Sequence, residues 1–153
     1  MIRVLFVCLG NICRSPMAEA VFMHKVRAAG LENVVEADSA GTGHWHIGNP
    51  PHQGTRAVLA QNGIEYAHRA RLIVEADLNT FDYVLTMDDQ NLRDVQAIGA
   101  GRAVIRPFLS YAPGSVVREV PDPYLVGGFE GVYALVDEAA EGLLKAIRAE
   151  HTL

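Results

Sequence analysis

No stretch of this sequence approaches the ~18 consecutive apolar residues that a membrane-crossing helix needs. Its first residues also lack a basic region followed by a cleavage site. The expected location is the cytoplasm, with no membrane partner. Positive charge is in short supply: 13 Lys and Arg stand against 18 Asp and Glu, a formal net charge of -5. General nucleic-acid binders carry a basic surface that releases counterions, so nucleic acid is not an expected partner and any anion must be held locally. Cysteine is scarcer still. Cys8 and Cys13 are the only two, and they share one turn instead of being spread along the chain as a disulfide framework would be. Five residues apart, they can still bridge under oxidation. Internal repeats, low-complexity tracts and linkers are absent as well.

What is present suits a soluble globular protein, with half the residues hydrophobic and a fifth charged. A chain of 153 residues buries roughly two thirds of the surface it exposes unfolded, enough for one core and one domain over residues 1–153. Residues 2–7, IRVLFV, form a nearly continuous apolar run of the kind found in a parallel strand covered on both faces. Residues 15–29 read as a helix. Pro16 fits its first turn, and Ala18, Val21, Phe22, Lys25 and Val26 form one face, before Gly30 stops it. Further strands are expected at 34–38, 82–87 and 103–105, and further helices at 55–62, 75–80, from Asp88 or Asp89 to about 98, and 129–149. A long irregular stretch covers about 107–126. Strands alternating with helices imply a parallel sheet flanked by helices on both faces. Ligands of such sheets sit beyond the carboxyl ends of the strands, where Cys8 falls.

The turn between the first strand and helix reads CLGNICRS. Gly10 and Asn11 tolerate left-handed backbone, so successive N–H groups can point inward as an anion nest. The following helix adds its free N-terminal donors and the positive end of its dipole. Arg14 supplies a planar fork for two oxygens. The ligand this chemistry fits is a tetrahedral dianion. At the centre of the nest, N–H groups and the Ser15 hydroxyl favour the charged, nucleophilic form of sulfur, at about 1.5–3 kcal/mol per hydrogen bond. A small buried cysteine ending a strand would explain Cys8 alone, but not Cys-x5-Arg-Ser closing onto a Pro-started helix. The turn has neither the G-x-x-x-x-G-K-[ST] nor the G-x-G-x-x-G spacing of nucleotide loops. For zinc, two cysteines without C-x-x-C, with His44 and His46 in a glycine-rich loop, are a weak ligand set.

VCLGNICRSPMAEAVF resembles the signature of the low-molecular-weight protein tyrosine phosphatases, and DSAGT, FDYVLTMD, NLRD and PDPY resemble further segments in the same order. The resemblance spans nearly the whole chain and implies a flavodoxin-like α/β domain with a four-stranded parallel sheet. It implies a phosphotyrosine-protein substrate and a metal-independent phosphatase without organic cofactor. Cys8 would be the nucleophile forming a phosphocysteine intermediate, Arg14 the phosphate binder, and Asp122 the general acid and then base. The residues of the phosphate loop, Leu9, Gly10, Asn11, Ile12, Cys13 and Ser15, would contact substrate, with Leu9 and Ile12 at the mouth and Trp45 and Tyr124 as aromatic walls. Ser15 would stabilise the Cys8 thiolate, Asn11 and His68 would brace the loop, and Cys13 would form a protective disulfide with Cys8.

Each assignment has a plainer rival. Asp-Pro is a common turn former, Cys13 is small enough for core packing, and His68 in AHRAR reads from sequence alone as a surface residue. Trp45 and Tyr124 could merely cover surface. Two departures stand out: His52 where many relatives carry an acid, and Leu125 where several animal members have a second tyrosine. Three other functions remain in view. Arsenate reduction on this scaffold uses further cysteines, and none follows Cys13. Protein arginine phosphatases resemble the chain but carry threonine at the position of Ile12. A non-catalytic phosphate-binding module needs neither nucleophile nor acid. The sequence names neither the physiological substrate nor the oligomeric state.

Overall fold

The computed structural model describes the backbone of residues 1–153 and every side chain except those of Leu125 and Val126, so the Leu125 departure lies outside what it describes. Four strands, β1 (Ile2–Cys8), β2 (Val35–Gly41), β3 (Tyr83–Thr86) and β4 (Val104–Pro107), form one sheet in the order β2-β1-β3-β4, and every neighbouring pair is parallel. Six helices accompany them: α1 (Arg14–Ala28), α2 (Gln53–Gln61), α3 (Asp77–Thr80), α4 (Asp89–Ile98), α5 (Pro123–Val126) and α6 (Phe129–His151). This is the expected flavodoxin-like α/β architecture. Strand order reverses between β1 and β3, so the crevice for a ligand opens at the carboxyl end of β1.

Val4 to Cys8 are all buried, and the period-2 alternation of a strand sends them to two cores. Val4, Phe6 and Cys8 join the larger cluster with α1 and α6, while Leu5 and Val7 join Leu78, Val84 and Val95 on the other face. Phe6 meets Phe22 and Phe108 edge-on, with ring centroids 5.7 and 5.1 Å apart. Each such ring contributes roughly 1.5–3 kcal/mol by burial, so the strand that ends in Cys8 is anchored from both sides.

Differences from the sequence expectations lie at element ends. β1 runs one residue further, making Cys8 its last residue, and β2 extends through Gly41 because its register with β1 continues to the Cys8–Gly41 pair. A Cβ at Gly41 would stand 2.7 Å from the Leu9 carbonyl oxygen, so this close approach needs glycine. Lys25, expected on the apolar face of α1, instead reaches Asp137 and Glu141 of α6 at 2.9 and 3.2 Å. The stretch expected to be irregular contains a 3-10 turn at Phe108–Tyr111 as well as α5.

Candidate active site

The turn from Cys8 to Ser15 curls because Asn11 adopts a left-handed conformation (φ 57°), whereas Gly10 does not. Gly10 leaves room instead: a Cβ there would sit 3.0 Å from the His46 ring, a tight contact to which that ring would have to yield. Asn11 is buried and bonded through both ends of its side-chain amide. Its Oδ1 accepts from the Arg71 N–H at 3.0 Å and from His68 Nε2 at 2.9 Å, and its Nδ2 donates to Ser15 Oγ at 2.9 Å. Ser15 Oγ, already accepting, lies 3.0 Å from Cys8 Sγ, against 3.5 Å from the Ala40 carbonyl. Its hydroxyl can donate to a Cys8 thiolate, or to the Ala40 carbonyl when the thiol keeps its proton and donates to Ser15. The Asn11 N–H reaches the same sulfur at 3.3 Å. Among the described residues, the N–H groups of Ile12, Cys13, Arg14 and Ser15 find no acceptor, as expected for a helix start that awaits an anion.

Arg14 is 3% exposed. Its Nη1 donates to Asp88 Oδ2 at 2.7 Å and to the Val120 carbonyl at 3.0 Å, and Nη2 lies 3.6 Å from Asp122 Oδ2. Burial opposes its charge, but Cys8, Asp88 and Asp122 outweigh burial and raise its pKa. Nε and Nη2 make no hydrogen bond among the described residues, leaving one edge of the fork for a ligand. Asp88 holds two positions at once. Its Oδ1 caps α4 by accepting from the Asn91 N–H at 2.8 Å, and its Oδ2 takes Arg14.

A cavity of about 420 Å³ opens over this loop, lined by Cys8, Leu9, Gly10, Ile12, Cys13 and Arg14 on one side and by Trp45, His46, Asp122 and Tyr124 on the other. Asp122 caps α5, accepting from the Tyr124 N–H at 3.1 Å, and about a third of its side chain is exposed. Trp45 and Tyr124 are exposed at the mouth, with Tyr124 edge-on to the rings of His46 and His52, 5.5 and 5.8 Å away.

His68 is not a surface residue. Its side chain is 10% exposed and it bonds both Asn11 and, at 3.2 Å, Ser39 Oγ. Burial lowers its pKa against the pull of Asp38, so the approaches of Nδ1 to Glu19 and Asp38 (3.8 and 3.9 Å) are contacts of a neutral ring. Burial also pushes Glu19 up to about 7, although Tyr66 and Ser39 donate to it. Glu19, Asp38 and His68 offer ligand atoms within 4.8 Å of one another, but Arg71 already neutralises Asp38 at 3.1 Å. Burial pushes the Cys13 thiol up to about 12, assisted by Cys8 and Asp122. Both cysteines are free.

The structure thus brings Cys8, Leu9, Gly10, Ile12, Cys13, Arg14, Trp45, Asp122 and Tyr124 to one cavity; the side chains of Asn11 and Ser15, expected to contact substrate, do not line it and instead bond to each other and, with His68, brace the loop from behind. Sequence reading missed His46, which lines the cavity, and the second role of Asp88. In sequence Asp88 reads only as a cap, and its spare lone pairs become visible once Arg14 is placed beside it. His52 caps α2: its Nδ1 accepts from the Gly54 N–H at 2.9 Å while its ring stacks on Phe129.

A family model described as low molecular weight phosphotyrosine protein phosphatase matches residues 3–153. The chain is 47% identical to the low molecular weight protein-tyrosine-phosphatase YfkJ of Bacillus subtilis over the full length of both. The crystal structure of YfkJ superposes with a TM-score of 0.95, covering 98% of this chain and 96% of that one. The phosphatase of Schizosaccharomyces pombe is 46% identical, with 95% of this chain and 97% of its own covered. The structure of a Drosophila arginine phosphatase is 33% identical with a TM-score of 0.90, covering 95% and 97%. With its sheet, its phosphate-loop turn and its whole length matched, this chain belongs to the low molecular weight phosphotyrosine protein phosphatase family.

Proposed function

We propose that the chain hydrolyses phosphotyrosine on proteins through a phosphocysteine intermediate, with Cys8 as nucleophile, Arg14 as phosphate binder and Asp122 as proton donor and acceptor. The observation that carries this reading is the convergence of Cys8, Arg14 and Asp122 on one cavity. The phosphate oxygens take the free N–H groups of the loop and the open edge of Arg14, which leaves phosphorus in front of Sγ. As the S–P bond forms and the P–O(aryl) bond breaks, the Asp122 carboxylic acid gives its proton to the departing phenolate oxygen. The resulting carboxylate then takes a proton from water as its oxygen attacks phosphorus. The S–P bond breaks and inorganic phosphate leaves. Trp45 and Tyr124 flank the aryl ring, and the depth of the slot favours phosphotyrosine over the shorter phosphoserine.

The test is phosphate release from an aryl phosphate in excess EDTA, with wild type and Cys8→Ser in parallel. Turnover that persists in EDTA and is abolished by Cys8→Ser is expected. No release by folded, fully reduced wild type would shift the assignment to a phosphate-binding module. Similarity to an arginine phosphatase keeps a second substrate in view. The apolar Ile12 at the mouth favours an aryl phosphate, and faster release from phosphoarginine than from phosphotyrosine would reverse that choice.

A further inference from the structure

Away from the catalytic cavity, two hollows of about 490 and 470 Å³ adjoin along α2 and share Arg56 and Tyr66. The second is lined by Pro50, Pro51, Arg56, Tyr66, His68 and Arg69, with Ala67 between the last three. The surrounding sequence inverts the charge of the chain. Between Asp38 and Glu75 the only acid is Glu65, against Arg56, Arg69, Arg71 and four histidines, and Glu65 lines only the first hollow. Arg71 is paired with Asp38 and Asp77. Arg56 and Arg69 have no carboxylate within 4 Å among the described residues; Arg69 donates only to the Gly48 carbonyl, at 3.0 Å. Two arginines without a carboxylate partner among the described residues therefore line one concave site on a protein of net charge -5.

We propose that this second hollow is an anion site for a phosphate or carboxylate group, held by Arg56 and Arg69 and coupled to the Cys8 loop. Its wall explains the coupling. The rings of Tyr66 and His68 stack 6.0 Å apart at 21°, and the Tyr66 hydroxyl is committed to Glu19 at 2.7 Å, so Tyr66 offers the site a ring face. From His68, three hydrogen bonds run through Asn11 and Ser15 to Cys8 Sγ. An anion that draws Arg69 or shifts His68 acts on the brace of the nucleophile from behind, and by linkage a ligand on the loop alters affinity at the hollow equally. The proposal stands on geometry outside the catalytic cavity and does not depend on the reaction performed there.

Titration of reduced, 15N-labelled protein with inorganic phosphate, and separately with succinate, tests it through the backbone amides. Phosphate is expected to move two sets of signals with different midpoints: Ile12 to Ser15 at the loop, and Arg56, Tyr66, Ala67 and Arg69 at the hollow. In the double variant Arg56→Gln, Arg69→Gln the second set should weaken at least tenfold, while the first still saturates with a midpoint shifted by no more than the coupling between the two sites. A response of the second set to phosphate alone or to both anions supports the site and identifies which group it takes. Shifts confined to the loop, or a second set unchanged in the double variant, overturn it. The Asn11 Nδ2 signals should follow the second midpoint, and their silence would overturn the coupling.

Discussion

Residues 8–15 and residues 112–124 face each other across the cavity and are built in opposite ways. The first segment is sunk into the fold, with Cys8, Asn11, Cys13, Arg14 and Ser15 all at most 3% exposed and cross-linked by side-chain hydrogen bonds. The second is open: Val116 is wholly exposed, and the segment is clipped to the rest mainly by Arg118 and Glu119 against Asp89 and by the Val120 N–H on the Met87 carbonyl. The difference matches what each must do under the proposed mechanism. A nucleophile and its phosphate cradle gain from being fixed before the reaction. A carboxyl group that gives a proton and then activates water must remain within reach of water.

Arg14 is where the two segments meet, since it donates to Asp88 and Val120 and faces Asp122. Replacing it with lysine keeps the charge and removes the fork, so Arg14→Lys separates geometry from charge. A loss of about 10²–10³-fold in kcat/KM is expected, the range for removing a transition-state oxyanion donor. A loss below tenfold, measured on a variant with unchanged thermal stability, would show that charge alone suffices and that the two segments need no common tie.

Asp122→Ala breaks the comparison from the open side. General acid catalysis is worth about 10²–10⁴-fold, and all of that loss should appear with poor leaving groups such as an unsubstituted phenol. With a strongly activated phenol the bond breaks without proton donation, and the loss in kcat/KM, which reports only the steps up to departure of the phenol, should shrink to about tenfold or less. A plot of log kcat/KM against leaving-group pKa that steepens in the variant is the expected result. Parallel lines for variant and wild type would remove the acid role.

The same contrast explains what could be read from sequence. The strand that ends in Cys8, the Pro-started helix and the Cys-x5-Arg-Ser spacing are local patterns, and the loop followed from them; the parallel sheet followed from the alternation of strands and helices, and its four-stranded flavodoxin-like form from the family resemblance. His68 lies 57 residues from Asn11 in sequence, and nothing local in AHRAR distinguishes a buried brace from a surface histidine. Asp88 was legible as a helix cap, but its bond to Arg14 spans 74 residues and exists only because β1 and β3 are neighbours in the sheet. His46 carried no local signal, and its contact with the cavity comes from the fold of the loop after β2.

The two cysteines sharpen the comparison within the buried segment itself. Cys8 Sγ faces the Asn11 N–H and the Ser15 hydroxyl, whereas Cys13 is packed with Ile12 and Ala70 and its thiol is pushed up to about 12, chiefly by burial. Alkylation requires thiolate, so a folded-state pKa near 12 leaves Cys13 protonated through pH 7–9 and makes it reactive only as pH climbs towards that value. Iodoacetamide at pH 8 should therefore give one adduct per folded chain, on Cys8, and none on folded Cys8→Ser. Unfolding in guanidinium returns Cys13 to solvent, and both sites should then react. Adduct mass and peptide mapping read the outcome. A Cys13 adduct on folded Cys8→Ser at pH 8 would mean that burial does not protect the second thiol, and a Cys8–Cys13 disulfide could then form by attack from either end.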